Sequence, residues 1–236
     1  MKIINEQFLM DLSYSSQALI PNKELESLLV SEENEVVRPN GVPAHYYRFF
    51  YFLMGHLSPA RVLELGTYTG ISSYCLASQN DKGQVVTVDQ TNERILKPCR
   101  DVPNIIFESR DSFNKVKNIG RIDLFFIDTV HDGERCQKEF DLYKDNIAPN
   151  GIVFFDDVYL NEAMKEFWVN FNPEGYDKFD LPVHGKAGFG TLIKHGEGED
   201  DGDFTRSESA RNGRSRTDDS GDHQVRQEER THSLYV

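Results

Sequence analysis

Residues 61–89 read "RVLELGTYTGISSYCLASQNDKGQVVTVD", two short apolar runs separated by a segment of helical length. Each run is rich in Val or Leu and is closed by a glycine or an acidic residue. A strand, a helix and a second strand in this order are typical of a βαβ unit, whose strands are parallel. Near-continuous apolar strands must be buried on both faces of their sheet. This stretch therefore predicts an α/β fold.

The same alternation continues toward the C-terminus. Further strands are predicted at 104–109, 122–128 and 151–157, and segments of helical length lie at 91–99 and 133–147. Right-handed crossovers bring the carboxyl ends of such parallel strands to one rim of the sheet. Ligands of open α/β sheets bind in the crevice outside that rim. We therefore look for functional residues where the predicted strands end.

The pattern changes after residue 157. Residues 161–171, "NEAMKEFWVNF", have the apolar spacing of a helix. Residues 176–184 and 188–195 are separated by a glycine-containing turn and predict an antiparallel hairpin. The sheet is thus expected to be mostly parallel with an antiparallel last strand.

The two flanking segments differ from this central part. Residues 1–59 predict a helical segment, interrupted at 38–43, for which a cap packed on the sheet and a lid over a substrate are equally open alternatives. Residues 195–236 are mostly Gly, Ser, Asp, Glu and Arg, with isolated apolar residues. Such a tail cannot bury enough apolar surface to offset its ordering entropy, so we expect it to be disordered and acidic. The sheet domain is expected at 60–194.

Composition limits the function classes. The formal net charge is -13, which argues against nucleic acid or an anionic membrane as a partner. Cys75, Cys99 and Cys136 match neither a disulfide framework nor a zinc pattern, and reduced thiols suit a cytoplasmic protein. No apolar run has the length of a signal peptide core or a membrane span. Homo-oligomerisation is left open.

A glycine turn and a strand-end acid favour a nucleoside ligand. Glu64 lies near the end of the first strand, and Gly66 and Gly70 follow it with the spacing G-x-x-x-G. The dinucleotide fingerprint requires G-x-G-x-x-G, so a ligand without phosphates is favoured. Asp89 ends the next strand, where an acid can accept the hydroxyls of a ribose. The alternative for Asp89 is a helix N-cap.

Two further strand ends carry titratable residues. Asp111 and Ser112 follow the third strand and are placed to meet an adenine edge or, equally, to cap a helix. "FFIDTVHDGER" (125–135) ends a buried strand on Asp128 and then presents His131. Asp132, in the same stretch, is interpreted as the N-cap of the following helix.

The quoted motifs in combination resemble a known family. "VLELGTYTG", Asp89, "RDS", "FFIDTVHD" and "APNGIVFFDDV" are similar to the successive motifs of class I S-adenosylmethionine (SAM)-dependent O-methyltransferases of the metal-dependent type. That type includes catechol O-methyltransferase and the macrocin-type sugar methyltransferases, and the resemblance covers residues 36–194. It implies a Rossmann-like, doubly wound, seven-stranded sheet, with residues 60–194 as the SAM-dependent methyltransferase domain. The implied SAM-binding residues are Glu64, Gly66, Thr67, Tyr68, Gly70, Ser72, Asp89, Asp111 and Ser112.

The resemblance also implies a metal site and a base. Asp128, Asp156 and Asp157 stand where the family binds a divalent cation, and their oxygens suit Mg²⁺. The catechol enzymes have Asp-Asn where this chain has Asp156-Asp157, which is nearer to the macrocin-type pattern. His131 stands where the catechol enzymes carry a catalytic Lys. Asp128 and His131 are therefore the implied catalytic residues, although a strand-end His is also a common loop hydrogen-bonder.

The leading hypothesis is a Mg²⁺-assisted O-methyltransferase that acts on a hydroxyl of a small molecule, such as a sugar, a polyol or a phenol. One alternative is a hydroxylase-associated relative with the same sheet. The other is a SAM-binding or interaction module with a degenerate site, for which the acidic tail would be the interaction arm.

Overall fold

The computed structural model describes residues 4–35, 46–183 and 185–196. In this part of the chain three helices precede the sheet: α1 (Glu6–Ala18), α2 (Lys23–Glu35) and α3 (Tyr46–Leu57). Helix α1 begins after Asn5, whose side chain accepts a hydrogen bond from the amide of Phe8 (2.9 Å). The predicted interruption at 38–43 and nearly all of the predicted tail lie outside the described residues. No helix within them is long and apolar enough to span a membrane.

The sheet has seven strands within the described residues. They are β1 (Arg61–Leu65), β2 (Gln84–Asp89), β3 (Ile105–Ser109), β4 (Ile122–Ile127), β5 (Ile147–Asp156), β6 (Tyr176–Asp180) and β7 (Phe189–Lys194). Their order is β3-β2-β1-β4-β5-β7-β6. The first five strands are paired in parallel, and β7 runs antiparallel to both β5 and β6. The predicted Rossmann-like, doubly wound sheet with an antiparallel last strand is confirmed.

Helices connect the strands as the sequence predicts, with two exceptions. The helices are α4 (Ile71–Ser78), α5 (Lys97–Arg100), α6 (Gly133–Tyr143) and α7 (Glu162–Asn170), with 3-10 turns at Lys144–Asn146 and Gly185–Ala187. The helix predicted at 91–99 is wrong, because only the single turn α5 forms, with a proline in its first turn. The helix that Asp111 and Ser112 were expected to cap is absent, since residues 110–121 form turns and bends.

Two apolar cores cover the two faces of the sheet. Side chains alternate along each strand, so that Phe126 of β4 faces the helices α1–α4 while Phe125 faces α6 and α7. On the first side, the ring of Phe50 from α3 lies 4.8 Å from that of Phe126 and 5.5 Å from that of Phe154. The described N-terminal helices are therefore packed on the sheet.

Candidate active site

A cavity of about 570 Å³ opens at the carboxyl ends of β1, β2 and β4, which is where the topology predicts a ligand crevice. Several residues predicted from the sequence line it: Gly66, Thr67, Tyr68, Ser72, Asp89, Ser112, Asp128 and His131. Glu64, Gly70, Asp111, Asp156 and Asp157 were predicted with them but are not among its lining residues.

Gly66 brings the loop after β1 against the end of β4. Its φ is +100°, and a Cβ there would lie 1.7 Å from the carbonyl oxygen of Asp128. The amide of Gly66 donates to the carbonyl of Val88, and the amide of Asp128 donates to that of Leu65, both at 2.8 Å. Only glycine satisfies both the positive φ and this close approach. The loop after β1 and Asp128 are therefore in direct backbone contact.

The carboxylate of Asp89 holds the same loop from the β2 side. Its Oδ2 accepts hydrogen bonds from the amides of Thr67 (3.0 Å) and Tyr68 (2.9 Å), and its Oδ1 accepts one from Thr91 (3.3 Å). No helix begins at Asp89, so the helix N-cap alternative is wrong. Asp89 lines the cavity while it fixes the loop.

Glu64 lies behind the cavity rather than in its wall. The side chain is fully buried, and its Oε2 accepts hydrogen bonds from the hydroxyls of Thr87 (2.6 Å) and Ser73. Burial raises the pKa of Glu64 to about 7, against the lowering effect of its hydroxyl partners. The hydroxyl of Thr87 also lies 2.6 Å from that of Thr67. Glu64 thus contacts the cavity wall through Thr87.

Gly70 and Asp111 also lie outside the cavity wall, and each contacts residues of the neighbouring helices and loops. Gly70 is the N-cap of α4 with φ +84°, and a Cβ there would meet side-chain atoms of Ile95 and Cys99 at 3.1 and 3.0 Å. Asp111 accepts from the amide of Phe113 (2.9 Å) and pairs with Arg135 (3.3 Å). The contacts of these two residues explain the loop structure without a ligand.

Three titratable groups, those of His131, Asp156 and Asp157, lie close to Asp128. The Nε2 of His131 lies 2.9 Å from Oδ2 of Asp157 and 3.8 Å from Oδ1 of Asp128. Asp128, His131 and Asp156 each offer one ligand atom within 4.8 Å of the others. Asp157 has φ +55°, an uncommon value for a non-glycine residue, and is not in that set. The structure thus brings together two of the three predicted metal ligands, with His131 as the third member.

This donor set fits a divalent cation, although not only Mg²⁺. The carboxylates of Asp128 and Asp156 are the oxygen ligands that Mg²⁺ prefers. An imidazole nitrogen suits Zn, Fe, Ni or Cu ions, and His131 is here paired with Asp157.

Neighbouring carboxylates favour the charged form of His131 when no metal ion is bound. The carboxylates of Asp128 and Asp157 raise the pKa of His131 to about 9, although burial opposes the shift. The imidazole is therefore a cation at neutral pH in this arrangement, because two carboxylates stabilise its charged form.

Two residues of the cavity wall were not predicted as catalytic or cofactor-binding residues, although Tyr46 was a candidate substrate contact. The hydroxyl of Tyr46 lies 3.3 Å from Oδ2 of Asp128, and its buried ring stacks on Phe189. The sequence favours a mainly packing role for Tyr46. Arg135 lines the cavity and contacts the buried carboxylate of Glu139 four residues later. The i, i+4 spacing was the one available signal for that pair.

Comparison with known families identifies the central part of the chain. The family model described as "Methyltransferase domain" (Methyltransf_24) matches residues 63–158. O-methyltransferase hkm8 of Aspergillus hancockii is 24% identical over an alignment of 113 residues, and the match covers 42% of this chain and 43% of the relative. The aligned part is therefore less than half of the length of that curated relative.

Solved methyltransferases have the same fold. The SAH-bound methyltransferase PaMTH1 of Podospora anserina matches with a TM-score of 0.61 and 18% identity, over 82% of this chain and 98% of its own. The O-methyltransferase TomG of Streptomyces achromogenes, in complex with SAM, matches with a TM-score of 0.60 and 18% identity, over 82% of this chain and 100% of TomG. Residues 63–158 thus match a methyltransferase domain family, and the class I methyltransferase fold recognised in the motifs is confirmed.

Proposed function

We propose that this chain, with a methyltransferase domain at its centre, is a SAM-dependent O-methyltransferase. The observation that carries the proposal is one cavity lined by both the Gly66–Tyr68 loop and the Asp128–His131 pair. Methyl transfer needs the sulfonium carbon and the acceptor oxygen in line at short distance. The backbone contact between Gly66 and Asp128 supports that arrangement.

The nucleoside of SAM is proposed to lie along the ends of β1 and β2. Thr67 and Tyr68 are held by Asp89, which also faces the cavity, and Ser72 and Ser112 line the same region. The G-x-x-x-G turn has no Lys, as suits a ligand without phosphates. The SAM and SAH bound to the solved neighbours of the same fold support this assignment.

His131 is proposed to take the proton of the acceptor hydroxyl. As the bond from carbon to sulfur breaks and the bond from carbon to oxygen forms, the hydroxyl proton passes to Nε2 of His131, and S-adenosylhomocysteine is left. Asp128 and Asp157 flank the imidazole and stabilise the cation so formed. The step requires that His131 is neutral when it begins.

A divalent cation is proposed to assist, with Mg²⁺ as the first candidate. Asp128 and Asp156 would hold it, with Asp157 as the third ligand. Such an ion lowers the pKa of a coordinated hydroxyl. Its positive charge beside His131 would also favour the neutral imidazole.

The acceptor is proposed to be a small hydroxylated molecule, such as a sugar, a polyol or a phenol. Tyr46, Tyr47 and Val130 line the cavity near Asp128 and His131. These residues give an aromatic and apolar wall against which a ring would pack.

Calorimetry followed by a turnover assay tests the proposal. We expect the full chain to bind S-adenosylhomocysteine and to methylate a member of a panel of sugars, polyols and phenols, faster with Mg²⁺ than with a chelator. No binding of S-adenosylhomocysteine would contradict the proposed function. Binding without turnover on every class of acceptor would favour the interaction module instead.

A further inference from the structure

Glu139 is a buried carboxylate that the proposed chemistry does not use. It lies on α6 and has no solvent exposure. Its Oε1 accepts hydrogen bonds from the hydroxyl of Ser112 (2.5 Å) and from Nε of Arg135 (3.0 Å). Its Oε2 accepts one from the hydroxyl of Thr129 (2.7 Å). Both oxygens of the carboxylate are therefore fully engaged by cavity-lining residues.

Two partners of Glu139 lie in loops that follow strands which are not neighbours in the sheet. Ser112 follows β3 and Thr129 follows β4. In the sheet these strands are separated by β2 and β1, a distance of roughly 14 Å at the usual spacing of neighbouring strands. The carboxylate thus links two loops on either side of the strands that carry the Gly66 turn and Asp89.

Arg135 completes the link and supplies the opposite charge. Its Nη2 donates to the hydroxyl oxygen of Ser112 (2.6 Å) and lies 3.3 Å from Oδ1 of Asp111. Its guanidinium carbon lies 4.4 Å from the ring centroid of Phe113. A buried carboxylate is costly unless it is paired and hydrogen-bonded. These contacts hold Glu139, Ser112 and Arg135 in one arrangement.

We propose that Glu139 is a positioning residue for cofactor binding, which fixes Ser112, Thr129 and Arg135 in the cavity wall at the nucleoside end. The inference rests on the proposed function, because it assumes that this cavity binds SAM. Glu139 does not line the cavity, so it acts through its three partners. Loss of the carboxylate should therefore weaken cofactor binding and leave the reacting groups in place.

Glu139→Gln is the first test. An amide keeps the size of the side chain, but its nitrogen cannot accept the hydrogen bond that one of the carboxylate oxygens now accepts. We expect the dissociation constant of S-adenosylhomocysteine to rise by about tenfold, which is within the range for one unmade buried hydrogen bond. The KM for the acceptor and the kcat at saturating SAM should stay near the wild-type values.

Glu134→Gln is the matched control on the same helix. The side chain of Glu134 is 79% exposed and pairs only with Lys138 among the ion pairs of the described residues, so this change should leave cofactor affinity unaltered. Equal loss of affinity in both variants would overturn the proposal. So would wild-type affinity in a folded Glu139→Gln protein, or an equal rise of the KM values for cofactor and acceptor.

Thr129 provides a second test in case Glu139→Gln does not fold. Thr129→Val removes the hydroxyl that donates to Glu139, and Thr129→Ser keeps it. We expect weaker binding of S-adenosylhomocysteine for Val and near wild-type binding for Ser, and the opposite result would overturn the proposal. If the wild-type chain binds no S-adenosylhomocysteine, the proposed function itself fails, which is a distinguishable outcome.

Discussion

His131 is the residue on which the proposed chemistry depends most. Its Nε2 lies between Asp157 and Asp128 at the edge of the cavity. We expect His131→Ala to lower kcat by about a hundredfold, the usual scale for a lost general base. The dissociation constant of S-adenosylhomocysteine should change little, because the Gly66–Tyr68 loop, where the nucleoside is proposed to bind, is held by other residues.

Steady-state kinetics with calorimetry on the same sample checks this prediction. His131→Gln is a useful companion, since it keeps a polar group near Asp157 but cannot accept a proton at neutral pH. Normal turnover in either variant would leave His131 with a loop-ordering role only.

The pKa of His131 predicts how the rate depends on pH. The carboxylates of Asp128 and Asp157 raise that pKa to about 9, so the cation predominates at neutral pH and the neutral base forms as the pH rises. We expect kcat/KM without added metal to increase with pH and to level off above about 9. If Asp128 and Asp156 hold a divalent cation, adding it should move the rise to lower pH.

The measurement is a rate profile from acidic to alkaline pH, with Mg²⁺ and with a chelator. His131→Ala should remove the rise in both conditions. A wild-type profile that stays level through neutral and alkaline pH would argue against His131 as the base.

The turn between β1 and α4 is the most constrained connection of the site. At Gly66 a Cβ would overlap the carbonyl oxygen of Asp128 at 1.7 Å. We expect Gly66→Ala to lower the free energy of unfolding by roughly 3 kcal/mol or more, because the clash adds to the cost of a positive φ. Binding of S-adenosylhomocysteine should weaken in the same variant.

Gly175→Ala is the matched control for Gly66→Ala. Gly175 also has a positive φ, +79°, but a Cβ added there would have nothing within 4 Å of it. Gly175→Ala should lower the free energy of unfolding by only about 1 kcal/mol, which is the cost of a positive φ for a residue with a Cβ. Denaturant unfolding of both variants separates the two contributions, and equal losses would show that the contact with Asp128 matters little.

Element boundaries show where sequence reasoning succeeds and where it fails. The strand ends at Asp89 and Asp128 were predictable because apolar runs stop abruptly there, and the strand period needs only local information. The helix predicted at 91–99 does not form. The side chains of Asp89 and Thr91 accept hydrogen bonds from the backbone amides of Thr91 and Glu93, which favours a loop. The N-cap role of Asp132 was predicted, and its side chain accepts from the amide of Arg135.

Side-chain roles were harder to predict than elements. Asp157 was expected to bind metal with Asp156, and the sequence did not indicate its contact of 2.9 Å with Nε2 of His131. Glu139 gave no signal beyond its spacing from Arg135, because a Glu on an amphipathic helix normally faces solvent. Both roles depend on contacts between distant segments, which periodicity does not report.

At the scale of the whole molecule, the N-terminal helices complete both the core and the site. They bury one face of the sheet, and Tyr46 from α3 extends to Asp128. A shortened chain of residues 60–196 would expose large side chains such as Phe126 and Phe154, at about 1.5–3 kcal/mol for each fully buried one. We expect this chain to lose cooperative thermal unfolding and to bind an apolar dye.

Calorimetry and dye fluorescence check that prediction against residues 1–196, which keep the helices and lack the acidic tail. If residues 60–196 unfolded cooperatively near the temperature of the longer chain, the domain boundary predicted at residue 60 would mark an independent folding unit.

The contact between Gly66 and Asp128 has a consequence for how substrate preference can change. Neighbouring parallel strands are separated by about 4.8 Å, whatever side chains they carry. If SAM binds as proposed, the separation between its methyl group and the groups proposed to activate the acceptor is then a property of the hydrogen-bonded backbone. Substitutions in α3, including those at Tyr47, could admit a new acceptor without altering that separation. Acceptor choice and transfer geometry can therefore diverge independently in relatives of this chain.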